Sequence, residues 1–73
     1  MSYYTTIKVV NKDGKAVKSH VSCAGQTGYT DSVTGEISFE LSSNTFYDVY
    51  AKRYGATVSG KVQGGKEITL REK

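Results

Sequence analysis

The chain reads as all-β: a small sandwich of about seven short, mostly antiparallel strands. Three observations predict it. Apolar and polar residues alternate with a period of two, most cleanly in Glu36-Ile37-Ser38-Phe39-Glu40-Leu41. β-branched and aromatic residues are frequent, and seven of the eight glycines fall between the alternating runs, where turns are needed. No window carries apolar residues at i, i+3, i+4 and i+7 over three turns, so no helix is expected.

The first strand is expected over residues 3–10. Asn11-Lys12-Asp13-Gly14-Lys15 then forms a turn, with Asp-Gly supplying a positive φ. A second strand follows over residues 16–23, with Val17, Val21 and Cys23 inward and His20 outward. Residues 24–28 are a loop, and residues 29–31 form a very short third strand. Val33-Thr34-Gly35 closes a turn before strand four, residues 36–41. That strand has one buried and one wet face. Residues 42–45 are a polar loop. Strand five runs over residues 46–54, strand six over 56–62 and the last over 67–71, after a Gly64-Gly65 turn. The alternation predicts a core of Ile7, Val9, Val17, Val21, Ile37, Phe39, Leu41, Tyr47, Val49, Val58, Val62, Ile68 and Leu70.

Seventy-three residues make one domain, 1–73. A chain this short buries only roughly 60% of its unfolded surface. Cys23 is the single cysteine, which excludes a disulfide framework. Ten Lys+Arg against seven Asp+Glu give a formal charge of +3. Along the sequence the charges are scattered, which points to ordinary solubility more than to a nucleic-acid footprint. No apolar run approaches about 18 residues, so no membrane partner is expected. No leader peptide is evident either.

The order of short motifs resembles a known family. Gly14-Lys15-Ala16-Val17, Tyr29-Thr30-Asp31 with Thr34-Gly35, Ile37-Ser38-Phe39, Tyr47-Asp48-Val49-Tyr50-Ala51 and Ile68-Thr69-Leu70 together resemble carboxypeptidase regulatory-like domains. They are also similar to the collagen-adhesin B-type repeats. Both imply an Ig-like, prealbumin-like sandwich that serves as an accessory module. Two departures are Ala16, where the family usually has Pro, and Ser19-His20-Val21, where small residues are typical. The resemblance implies a module of a surface or secreted protein; without it, the absence of a leader would suggest the cytoplasm.

Chemistry has few residues to use. His20 and Cys23 are three positions apart, which in a strand puts them on opposite faces and makes a poor dyad. One His and one Cys cannot close a zinc site, and Asn11-Lys12-Asp13-Gly14 starts a calcium loop without continuing it. Asp13 and Asp31 read as turn formers. No cofactor motif is present, since Gly64-Gly65-Lys66 precedes a strand rather than a helix. The collagen-adhesin resemblance raises a Lys–Asn crosslink with Lys8 as the amine. The last strand has no Asn or Asp, and the family's carboxylate position falls near Ala51. A hydroxyisourate-hydrolase reading fails on the missing C-terminal Tyr-Arg-Gly-Ser motif and the missing second His. No enzymatic activity is therefore expected.

The suggestive surface feature is strand five. Phe46, Tyr50, Lys52 and Tyr54 share its outer face with Asp48, an arrangement able to stack on sugar rings, bases or a partner's side chains. Cross-strand sheet packing is the plainer explanation. The expected function is a non-catalytic structural or binding module with a protein or carbohydrate partner. The alternative is a small basic β-domain that binds nucleic acid through the strand-five aromatics and Lys/Arg. Weak self-association through the exposed aromatics is a further expectation.

Overall fold

The computed structural model describes residues 2–73. It contains seven strands: β1 Tyr3–Val10, β2 His20–Cys23, β3 Gln26–Tyr29, β4 Glu36–Leu41, β5 Phe46–Arg53, β6 Ala56–Gln63 and β7 Glu67–Arg71. Two sheets face each other. One has three strands in the order β4-β1-β7, the other four in the order β3-β2-β5-β6. All neighbours are antiparallel except β1 and β7. The all-β sandwich read from the alternation is the fold observed.

The core fills the space between the sheets. Ile7, Val9, Val21, Cys23, Phe39, Leu41, Val49, Ala51, Val62 and Leu70 are buried, and Val17, Ile37, Tyr47, Val58 and Ile68 pack against them. Every apolar residue expected inside is in one of these two groups. What periodicity did not reveal is a set of buried polar residues: Thr5, Ser19 and Thr30 are each at most 1% exposed.

Those polar residues explain where two strands depart from expectation. β2 begins at His20, not at Ala16, because the chain crosses between sheets over residues 16–19. Ala16 makes only an isolated bridge to Val10. Thr30 substitutes for the missing ladder: the Ser19 N–H donates to Thr30 Oγ1 at 2.8 Å, and Thr30 Oγ1 donates to the Val17 carbonyl at 2.7 Å. Buried backbone groups need partners, and this side chain supplies them. β3 is likewise shifted, to Gln26–Tyr29. The loop expected over residues 24–28 shrinks to the two-residue turn Ala24-Gly25, both with positive φ (52° and 79°), the geometry that matches strand twist.

Side chains fix the other turns. In the first, the Asp13 and Lys15 N–H groups donate to Asn11 Oδ1, so Asn11 and not Asp13 organises it. Asp31 behaves as expected, accepting from Val33 and Thr34 N–H at 2.7 and 3.1 Å. Those two bonds pull the Asp31 carboxyl below its usual range.

One long side of the sandwich is fastened. The Asp31 N–H donates to the Glu36 carbonyl at 3.1 Å, and Gln26 Nε2 donates to the Glu40 carbonyl at 2.8 Å. On the other side β6 and β7 are both free edges. At one end of that side Arg53 forms a two-pronged pair with Glu72, at 2.8 and 2.6 Å. It links the last turn of the larger sheet to the end of β7.

Candidate binding face

The outer face of the four-stranded sheet carries the candidate residues, and strand register places them in rows. His20 lies between Tyr29 of β3 and Lys52 of β5, and Lys52 lies opposite Thr57 of β6. In the next row Ser22 lies between Thr27 and Tyr50, and Tyr50 lies opposite Ser59. Asp48 and Lys61 form a third row, with Phe46 and Gln63 beyond. Strands sit about 4.8 Å apart, so four neighbours across the sheet span roughly 14 Å.

Tyr50 is central, 51% exposed and flanked on both sides by serine hydroxyls. The Tyr29 ring meets the His20 ring edge-on at 5.1 Å between centroids, and Lys18 Nζ lies 5.5 Å from the centre of the Tyr29 ring. A cation held over a ring gains electrostatic attraction. Lys18, His20, Tyr29, Tyr50 and Lys52 thus form one continuous aromatic and basic patch.

The four residues expected from strand five do not all join that patch. Tyr50 and Lys52 do. Phe46 is on the same face, 69% exposed, but four residues from Tyr50, about 13 Å along the strand. Tyr54 is not on the face. β5 ends at Arg53, and Tyr54-Gly55 is the hairpin turn, with φ 52° and 80°. Two positive-φ residues make the tight turn that a two-residue hairpin requires. Tyr54 is 92% exposed there, with the Arg53 guanidinium 4.7 Å from its ring centre.

The charges scattered along the sequence are sorted in space. Lys18, Lys52 and Lys61 accompany the four-stranded face, against Asp48 alone. The three-stranded outer face carries Glu36, Glu40 and Glu67 with Lys8 and Arg71, placed there by alternation with the buried Ile7, Phe39 and Leu70. Tyr29, Lys18 and His20 were missing from the sequence reading of the site. The outward parity of His20 was legible, but nothing in the sequence states that β2 pairs with β5.

The geometry also bears on the chemical readings. Cys23 is buried, and burial pushes its thiol pKa up, which suppresses the thiolate. His20 points to the opposite face of β2, so the two do not meet. Lys8 lies across from Glu36 on the outer surface, and Ala51 is in the core. The amine needed for an internal crosslink is therefore outside the sandwich. Among the described residues no group of three or more His, Cys, Asp and Glu is placed to hold a metal ion.

No protein-family model matches the chain, and no curated protein matches it at a significant level.

Proposed function

We propose that the chain is a non-catalytic binding module whose outer four-stranded face docks on a carbohydrate or protein partner. The observation that carries this reading is the patch of Tyr29, His20 and Tyr50 with Lys18 and Lys52 on one open sheet face. Tyrosine offers large rigid contact area at low entropic cost, and its hydroxyl can bond a polar partner. The serine and threonine hydroxyls beside Tyr50 add donors and acceptors at sheet spacing. Resemblance to carboxypeptidase regulatory-like domains supports an accessory role for the module.

A second reading has one observation in its favour. Lys18, Lys52 and Lys61 gather on the aromatic face, and aromatic rings interleaved with cations also suit single-stranded nucleic acid. The experiment is a screen of glycans, proteins and oligonucleotides, repeated with Tyr50→Ser. A glycan or protein ligand bound with weak salt dependence and lost in Tyr50→Ser supports the first reading. Affinity for oligonucleotides that falls steeply with salt supports the second. Binding indifferent to Tyr50→Ser, in a protein that still folds, removes the face from consideration.

A further inference from the structure

The open side of the sandwich has its own logic, separate from the outer face of the four-stranded sheet. The smaller sheet is one strand short of the larger, and β7 is its unpaired edge. Beside that edge, under β6, is a groove of about 400 Å³ lined by Val58, Gly60, Ile68, Leu70, Arg71 and Lys73 among others.

The backbone of β7 has a definite outward set. The Lys66 carbonyl accepts from Thr6 N–H at 3.2 Å, and Glu72 N–H donates to the Val10 carbonyl at 2.9 Å, so both point at β1. Backbone groups alternate in direction along a strand. Ile68 and Leu70 therefore also point at β1, while Glu67, Thr69 and Arg71 turn their N–H and C=O groups to the free edge. That outward set is symmetric about Thr69.

We propose that this edge pairs with the same edge of a second copy, antiparallel about a two-fold axis through Thr69. The symmetric set then forms three residue pairs, each able to exchange two bonds, or about six backbone hydrogen bonds. Side chains agree with this register. Glu67 lies opposite Arg71 of the second copy and Arg71 opposite its Glu67, so two opposite-charge pairs flank a Thr69–Thr69 pair, each formed as the Arg71 guanidinium turns from the Lys12 carbonyl that it bonds within its own chain. Opposite charges and paired threonines are both favourable cross-strand neighbours, and no like charges face each other. Ile68 and Leu70 meet across the axis on the core side and line the groove. The β7 edge carries no proline and no inward-pointing charge, two common devices that keep edges apart. The result is one six-stranded sheet, β4-β1-β7-β7-β1-β4, with the outer faces of both four-stranded sheets left open.

The test is sedimentation of the full chain from about 10 μM to about 1 mM, a range wide enough for a weak pair. A monomer–dimer equilibrium is expected. Glu67→Arg alone puts arginine opposite arginine twice and should leave a monomer; Arg71→Glu alone puts glutamate opposite glutamate and should do the same. Mixing the two variants restores opposite charges at every position, so the mixture should dimerise although neither component does. That rescue also shows that each variant is folded. A wild-type chain that stays monomeric throughout the range overturns the proposal. So does a dimer unaffected by Glu67→Arg, or a mixture that fails to associate while both variants keep native spectra.

Discussion

Gly64 sits where the β6–β7 turn meets the crossover between β4 and β5. A methyl group there would lie 1.9 Å from the Ser43 carbonyl oxygen, 3.0 Å from Ser43 C and 3.2 Å from Asn44 Cα. All three are backbone atoms, so no side-chain rotation can relieve the clash. The segments must separate by more than 1 Å or so to reach ordinary contact, which strains the Gly64 N–H bond to the Thr45 carbonyl, 3.0 Å in the wild type. Overpacking costs about 1–3 kcal/mol, and losing the bond adds about 1 kcal/mol. Reduced chain entropy in the unfolded state offsets about 0.4–1 kcal/mol. Gly64→Ala should therefore destabilise by roughly 2–3 kcal/mol. A domain of this length has about 4–11 kcal/mol in total. With a urea m-value of about 1 kcal/mol/M, the midpoint should fall by roughly 2–3 M. Gly14→Ala is the contrasting control: nothing lies within 4 Å of its added methyl, but φ is +85°, so only backbone strain of about 1–2 kcal/mol acts. A Gly64→Ala midpoint equal to wild type would mean that the crossover does not pack on the β6–β7 turn.

Three further outcomes follow from named contacts. Thr30→Val keeps the shape but strands the Ser19 amide and the Val17 carbonyl, and should cost about 1–3 kcal/mol by urea unfolding. Tyr54→Asn relieves the φ of 52° at the β5–β6 turn and should raise stability by about 1 kcal/mol; a lower melting temperature would show that the Tyr54 ring on Arg53 outweighs the backbone strain. Asp31 and Glu72 both have carboxyl pKa values held below their usual range, by backbone N–H groups and by Arg53 respectively. A depressed folded-state pKa stabilises above the unfolded value, about 3.9 for Asp and 4.3 for Glu. That stability is lost as pH falls through the folded pKa. Melting temperature should thus hold from neutral pH to about pH 5 and decline below about pH 4, less steeply in Asp31→Asn; stability that rises on acidification would contradict both assignments.

Much of this fold is written in period two. Ile37, Phe39 and Leu41 alternate with Glu36, Ser38 and Glu40, and one face of β4 could be assigned before any pairing was known. His20 and Cys23 could be separated by parity in the same way. The crossover before β2 was not legible, because Ala16, Val17 and Lys18 look like a continuation of the strand. The buried Thr30, twelve residues past Lys18, shows how the backbone is satisfied without a ladder: its hydroxyl serves the Ser19 N–H and the Val17 carbonyl, and its own N–H donates to the Ser19 carbonyl. A threonine in a turn-rich stretch gives no sign of that in sequence. The candidate face was half legible for a related reason. Tyr50 and Lys52 share a strand, so alternation groups them. Tyr29, His20 and Lys18 join them through the β3-β2-β5 register, which depends on long-range pairing. Tyr54 was misplaced because strand alternation runs smoothly into a turn residue; the following Gly55 was the available signal for a tight hairpin.

The outer face of the four-stranded sheet is the proposed binding surface. The most direct test is an amide chemical-shift titration of the labelled chain with a ligand taken from the glycan and protein screen. Shifts should concentrate at His20, Ser22, Tyr29, Tyr50, Lys52 and Ser59, with β1 and β4 silent, and Tyr50→Ser should abolish them. Shifts confined to the Ala24-Gly25 turn, to residues 42–45 or to the three-stranded face would contradict the account.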